Sequence, residues 1–388
     1  MSHAPLPDDE AARPGRDESA RRGRDESALP GHEHELRIHE RIEAFRRRRP
    51  RLKDEVINLA HGAGGKASAA LIDAVFLEAF RNDALATLGD GAVVALPSGE
   101  RIALSTDSFV VKPWRFPGGT IGQLAVHGTV NDLAMVGARP AWMSVAFVLE
   151  EGFPIEDLRT IVADMAEAAE RAGVAIVTGD TKVVNKGAAD GLYVNTTGVG
   201  VVPANRELTA ANVRPGDKII VSGTLGDHGV AVMLARGDLA LAADIESDTA
   251  PLAELVDVLF AAAPATRWLR DPTRGGLGTV LNELARDAEV AVVLDEAELP
   301  VRPVVNGACD ILGIDPLYVA NEGKLVAIVP PEEVEAALAA LRSHPLGTAA
   351  NVIGEIRAEP PRIVLLNTAF GGSRIVDMLV GDPLPRIC

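Results

Sequence analysis

From about residue 55 onward, apolar positions in this chain follow two alternating rhythms. Short runs at 91–96, 101–105, 141–149, 174–177 and 192–202 read as strands. Residues 121–136 place Val126, Val130 and Leu133 on one helical face, and 155–172 carries a long amphipathic helix pattern. The stretch 203–215 has a proline at each end and reads as a linker. A second set of elements follows it: a strand at 217–223, then a helix after 224–229. Residues 276–287 predict a helix with Leu277, Val280, Leu281 and Leu284 on one face, and 290–294 predicts a strand. Residues 318–329 read as two strands around an Asn321-Glu-Gly turn, 332–342 as a helix, and 352–356 and 362–366 as strands. Interspersed strands and helices predict an α/β or α+β class with two domains, 53–204 and 205–368.

Both ends break this pattern. Residues 1–52 repeat Gly-Arg-Asp-Glu-Ser-Ala from Gly15 and again from Gly23. Large apolar residues are scarce before Leu36, so the segment cannot offset its ordering entropy and is expected to be disordered. Its His32, His34 and His39 offer weak metal ligands or solvated side chains, and Arg46 to Arg49 a basic patch or a solvated face. Residues 369–388 are expected to form a mobile tail. Pro383 and Pro385 favour extended chain there, and the last residue is Cys388. From Asp377 to Cys388 the chain can reach ~40 Å, enough to carry the thiol into a distant pocket.

Composition narrows the function. With 38 Lys and Arg against 55 Asp and Glu, the net charge is −17, which argues against nucleic acid as the main partner. No apolar run approaches the ~18 residues of a membrane span, so no membrane role is expected. The N-terminus lacks the apolar core of a secretory signal, and Cys309 and Cys388 make no disulfide framework, so a cytoplasmic location is expected. Cys309 sits in an apolar helical pattern and reads as core.

Several motifs carry candidate chemistry. His61-Gly-Ala-Gly-Gly-Lys66 lets backbone amides approach a phosphate, but it lacks the spacing of a Walker loop. Phe116-Pro-Gly-Gly-Thr120 is another glycine turn, opening the 121–136 helix, and Thr178-Gly-Asp-Thr-Lys182 reads as a turn with an acid and a base. Asp90, Asp107, Asp132 and Asp180 lie near such glycines. Carboxylates beside phosphate-cradling loops suit magnesium, which wants hard oxygen ligands; Asp is also common in turns for its own backbone bonding.

Taken together, these motifs resemble the HypE family of hydrogenase maturation factors, within the PurM-like superfamily of ATP-dependent enzymes. The residues that carry the likeness are His61-Gly-Ala-Gly-Gly, Ser105-Thr-Asp-Ser-Phe-Val-Val, Gly128-Thr-Val-Asn-Asp-Leu-Ala-Met-Val-Gly-Ala, Thr178-Gly-Asp-Thr-Lys, Asp271-Pro-Thr-Arg-Gly-Gly, Asn321-Glu-Gly and the terminal Pro385-Arg-Ile-Cys. The likeness spans about Asn58 to Cys388. One departure is Gly89-Asp-Gly-Ala, where relatives often carry two adjacent acids. The resemblance implies a PurM-like two-domain fold: an N-terminal domain that dimerises through a β-barrel, an α/β C-terminal domain, and an extended tail. It implies a carbamoyl dehydratase that uses ATP to turn an S-carboxamide on Cys388 into an S-cyanate, for the iron of nickel–iron hydrogenase. Implied partners are a HypF-like carbamoyltransferase, a HypC–HypD complex and a second copy. ATP would meet Gly62, Gly64, Gly65, Thr106, Gly118, Gly119, Thr120, Asn131, Gly179, Thr181 and Arg274. Mg2+ would sit on Asp90, Asp107, Asp132 and Asp180. Lys182 and Glu322 would flank the Cys388 adduct, with His61 near the phosphates. Two other readings stay open: another PurM-like kinase or synthetase, and a non-catalytic maturation scaffold.

Overall fold

The computed structural model describes residues 52–237 and 244–379. The N-terminal extension to residue 51, with its histidines and basic patch, lies outside the described residues, as does Cys388.

The chain folds around two sheets. In the first, β1 (Ala92–Ala95), β2 (Arg101–Phe109), β5 (Arg139–Glu150), β6 (Ala175–Val184) and β7 (Leu192–Val202) lie in the order β1-β2-β7-β5-β6. Two-residue strands β3 (Arg115–Phe116) and β4 (Gly119–Thr120) pair with each other between β2 and the next helix. The second sheet has seven strands: β8 (Lys218–Val221), β9 (Trp268–Arg270), β10 (Ala291–Asp295), β11 (Val326–Val329), β12 (Asn351–Arg357), β13 (Ile363–Asn367) and β14 (Ser373–Val376). Their order is β14-β13-β10-β12-β8-β11-β9. Within this chain the first sheet is open: β1 and β6 are its two edges.

The helices are α1 (Lys66–Leu71), α2 (Ile121–Met135), α3 (Ile155–Arg171), α4 (Asp227–Arg236), α5 (Ala253–Ala262), α6 (Gly276–Asp287), α7 (Pro303–Leu312) and α8 (Val334–Ser343). Helix α1 runs on through a π-helical turn, Ile72–Leu77, into Glu78–Phe80. Thr120 caps α2 by accepting from the Gln123 amide, satisfying a donor that the helix start would otherwise leave open.

The second sheet is covered on both faces, which its residues encode by alternation. Ile219 and Val221 of β8, with Val326 and Ile328 of β11, pack on the α6 side. Ile220, Ala327 and Val329 point the other way, into the core formed with α5 and α8.

Four sequence expectations change here. Helix α2 does not bury one face: 13 of its 15 residues are buried. It lies against β2 and β7 of the first sheet, against α3, and against α5. Residues 174–182 are not a short buried strand and a turn. They continue as the exposed edge strand β6, parallel to β5, with one extra residue, Val177, bulged out of register. Residues 318–329 give one strand, β11, because Asn321-Glu322-Gly323 is buried between loops instead of turning a hairpin. The tail expected from 369 is paired through Val376, since β14 adds antiparallel to β13. Cys309 is a buried thiol, as its apolar setting suggests.

Candidate active site

Asp90, Asp132 and Asp271 converge where the two sheets meet. Each offers a carboxylate oxygen, and these oxygens lie within 4.8 Å of one another. Their elements explain the placement. Asp90 lies two residues before β1, Asp132 lies in α2, and Asp271 follows β9 at the edge of the second sheet. Ser105 on β2 places its hydroxyl 2.6 Å from Asp132 Oδ2, where it donates. Arg270 pairs with Asp90 at 2.9 Å and with Glu283 at 2.9 Å. Asp107 lies two residues along β2 from Ser105, on the same side of the strand, and its charge bears on Asp132.

This group holds an excess of buried negative charge. Burial pushes Asp90 up to about 7, opposed by Arg270 and reinforced by Glu283 and Asp107. Burial, then the neighbouring carboxylates, raises Asp132 and Asp271 well above the usual range. Glu322, only 3% exposed, is raised well above it by burial and by Asp271, Asp248 and Asp107, while Arg274 opposes. Burial raises Asp107 too, and Arg274 counters. Five acids against Arg270 and Arg274 are costly without protons or a cation. A hard divalent ion fits these all-oxygen donors.

A stability prediction follows from the raised carboxyls. In the unfolded chain these acids ionise near their ordinary value of 3.8; in the folded chain Asp90 ionises near 7. Their contribution is therefore fully present below the unfolded value and is lost as pH rises through the folded one. In chelator, the melting temperature should climb as pH falls from 8 toward 5.5, and saturating Mg2+ should flatten that slope.

Glu322 is held by its backbone. Its amide donates to Asp248 Oδ1 at 3.0 Å, and Asp248 is paired with Lys324 at 3.1 Å. Its carbonyl accepts from Asn131 Nδ2 at 3.1 Å. Asn321 fixes the same segment: its Oδ1 accepts from the Gly226 amide, and its Nδ2 donates to the carbonyls of Pro272 and Val319. Arg274 is exposed on the turn before α6. Gly275 and Gly276 adopt φ of +78° and +59°, and a Cβ on Gly276 would stand 2.6 Å from the Leu317 carbonyl oxygen. Only glycine makes so abrupt a turn there, and the turn sets the Arg274 charge beside Asp107 and Glu322.

Other site candidates land elsewhere. Asn131 is 1% exposed, and its side chain is committed to Ala250, Glu322 and Leu252, so it ties α2 to the loop beneath Glu322. Asn131→Ala should cost about 1–3 kcal/mol of stability by orphaning buried backbone groups, measurable by urea unfolding. Thr120 donates to Asp164 and caps α2. Gly118 and Gly119 are filled in by residues 246–249, so they make no open cradle. Gly179 presses on the Val145 carbonyl and belongs to the packing of β6 on β5. Thr106 faces away from the acids, and its hydroxyl is engaged with Thr196 and Thr197. In the glycine loop, Gly62 has open space beside it, Gly64 lies against Arg274, and Gly65 lies against Leu379. His61 is buried; its Nδ1 accepts from the Asn58 amide, and its Nε2 is 3.3 Å from Asp54.

Asp180, Thr181 and Lys182 are exposed on edge strand β6. The register runs from Asp107 to Thr196, Val145 and Gly179 across adjacent strands. Three strand spacings put Asp180 about 14 Å from Asp107, so it does not join the acid group of its own chain. Asp271 takes the fourth place. The sequence offers it only within the Asp271-Pro-Thr-Arg-Gly-Gly motif, far along the chain from the other acids. The available signal was an acid directly before Pro272 and a glycine turn, in a motif already singled out.

Comparison with known proteins decides the family. Residues 88–202 match the N-terminal domain, and 214–366 the C-terminal domain, of AIR synthase related proteins. A carbamoyl dehydratase HypE from Rhodobacter capsulatus is 56% identical over 338 residues, 87% of this chain and 99% of that one. The chain belongs to the HypE family. It is an ATP-dependent carbamoyl dehydratase of hydrogenase maturation. The HypE of Escherichia coli K12 is 48% identical, covering 86% of this chain and 99% of its own. Among solved structures, a HypE–HypF complex matches with a TM-score of 0.76 at 48% identity, over 80% of this chain and 100% of that one. A HypE bound to ATP matches with a TM-score of 0.72 at 47% identity, over 86% and 100%. No helix among the described residues is long and apolar enough to cross a membrane.

Proposed function

We propose that the substrate of this dehydratase is an S-carboxamide on the chain's own Cys388, and that the site is the group of Asp90, Asp107, Asp132, Asp271, Glu322 and Arg274. The observation that carries this reading is the excess of buried carboxylates with raised proton affinity beside an exposed arginine. Asp90, Asp132 and Asp271 would hold Mg2+, with Asp107 adjoining; the ion would neutralise charge on the phosphates of ATP.

The chemistry balances as follows. The carboxamide oxygen attacks the γ-phosphorus, and ADP leaves. The O-phosphorylated carbon then releases phosphate with the C–O bonding electrons, while nitrogen gives up its two protons and becomes the nitrile. Phosphorylation turns a poor leaving group into a good one. Glu322 is suited to accept a nitrogen proton, because a carboxylate with raised proton affinity is a stronger base at neutral pH. Arg274 keeps positive charge where phosphoryl charge develops.

Lys182 and Asp180 enter through a second copy. The face of the first sheet turned away from α2 leaves Leu104 37%, Trp142 50% and Val201 43% exposed, and Asp180 and Lys182 of β6 share that face. Covering that face with a partner's sheet would form the dimer and bring the partner's β6 toward this site. A HypF-like carbamoyltransferase would load Cys388, a HypC–HypD complex would receive the cyanide, and the cytoplasm would house the exchange.

The test starts from protein carbamoylated at Cys388 with cyanate, which adds a carboxamide to a thiol. With ATP and Mg2+ the C-terminal peptide should lose the mass of one water. Cys388→Ser should show no such loss. An unchanged peptide mass in the wild type would leave the scaffold reading standing.

A further inference from the structure

Residues 247–252 run as a strap between the layers of the two sheets. The Ser247 amide donates at 2.8 Å to the carbonyl of Pro117, between β3 and β4, and a Cβ on Gly118 would stand 2.7 Å from the Ser247 nitrogen. The Ser247 hydroxyl lies 2.8 Å from His228 Nδ1 on α4, and the Thr249 hydroxyl lies 3.0 Å from His127 Nδ1 on α2. Asn131 of α2 ties down the rest: its Nδ2 donates to the Ala250 carbonyl at 3.0 Å, and its Oδ1 accepts from the Leu252 amide at 2.8 Å. The strap is thus fastened to the helix that carries Asp132.

Between these anchors, Asp248 reaches the Glu322 segment. Its Oδ1 accepts from the Glu322 amide at 3.0 Å, and its Oδ2 is 3.1 Å from Lys324 Nζ. The pair is buried, with side chains 4% and 12% exposed. Lys324 Nζ also donates to the Gly323 carbonyl at 3.4 Å. Two glycines make room for this contact. A Cβ on Gly323 would overlap the Asp248 carbonyl oxygen, and one on Gly223 would stand 2.8 Å from Lys324 Cε. A buried ion pair adds little stability over apolar residues of the same size. This one locks the carboxylate that holds the Glu322 backbone.

We propose, on the reading of Glu322 as the proton acceptor, that Asp248 clamped by Lys324 is a positioning residue for the dehydration, setting Glu322 at a fixed distance from Asp132. Glu322 precedes β11 of the second sheet, and Asp132 belongs to the helix lying on the first. The strap spans the two, with Asp248 taking the Glu322 amide while Asn131 takes its carbonyl. A base about 1 Å out of place loses on the order of 10²-fold in rate, while groups held by other residues keep their contacts.

Two double variants that differ only in the acceptor test it. Asp248→Asn with Lys324→Met removes both charges and keeps an oxygen for the Glu322 amide. Asp248→Leu with Lys324→Met has the same charge and nearly the same shape, without that oxygen. Each is carbamoylated with cyanate and followed through a single turnover with saturating ATP and Mg2+. The Asn variant should lose water about 10–100-fold faster than the Leu variant, while nucleotide titration gives both the same affinity. Hydrogen exchange at the peptide containing Glu322 should be faster in the Leu variant, a readout that needs no catalysis. Should the Leu variant not fold, Asp248→Ala with Lys324→Met takes its place. Adding Glu322→Gln to both doubles should erase the difference in rate, because Asp248 acts through that carboxylate. Equal rates for the two doubles, or a difference that persists with Glu322→Gln, would overturn the proposal. Glu322→Gln alone separates the two levels. If it dehydrates at the wild-type rate, the proton-acceptor reading falls and the positioning role with it. If it is slow and the doubles are equal, only the positioning role falls.

Discussion

Asp132→Asn should lower ATP turnover by on the order of 10²–10³ without weakening the metal-free fold. The two halves of that expectation share one cause. Asp132 is pushed well above its usual range by burial and by Asp107, Asp271 and Asp90. An amide of the same shape relieves that repulsion and still accepts from Ser105, so the melting temperature in chelator should hold or rise. The same amide is a poor ligand for a hard cation, so the thermal shift produced by Mg2+ should shrink. Asp271→Asn should behave alike, since it sits in the same group. Asp180→Asn should leave the Mg2+ shift of an isolated chain unchanged, because its carboxylate is about 14 Å away across the sheet. Scanning calorimetry with and without Mg2+ separates these outcomes. A metal-free Asp132→Asn protein that melts well below wild type would mean that the carboxylate is structural.

Glu322→Gln should cut dehydration about 10²–10⁴-fold while leaving ATP binding and stability near wild type. Glu322 is buried among carboxylates that raise its proton affinity, so a neutral amide of the same shape adds no charge repulsion to the pocket. The neighbouring backbone bonds, to Asp248 and Asn131, do not involve the side chain and remain. What is lost is the ability to take a proton from nitrogen. Single-turnover kinetics on carbamoylated protein, beside nucleotide titration, distinguishes this from a folding defect. If dehydration survives in Glu322→Gln, the proton goes to another group.

Much of the fold could be read from the chain. Strands such as Leu192–Val202 alternate cleanly because one face packs on α2 and the other does not. Sequence alone misplaced the elements whose surroundings come from elsewhere in the fold. Helix α2 presents one apolar face to any local count, yet it is wrapped by both sheets' layers. Strand β6 has few neighbours in one chain, so its apolar residues looked like a short buried strand. The site was half legible. Asp90, Asp107 and Asp132 share one domain and can be grouped by motif. Asp271 joins them only across the contact between the two sheets' layers, which no local spacing encodes. The glycine motifs misled for a physical reason. Glycine marks close backbone approach, and at Gly65, Gly118 and Gly179 what approaches is the protein's own chain.

The most direct test of the account follows the carboxamide oxygen. Cys388 is carbamoylated with cyanate carrying the heavy oxygen isotope, and the protein is given unlabelled ATP and Mg2+ in ordinary water. If the carboxamide oxygen attacks the γ-phosphorus and leaves with it, the label appears in inorganic phosphate in step with nitrile formation. Label found in water, with unlabelled phosphate released, would contradict the account, because ATP would then be hydrolysed beside the dehydration and not through it.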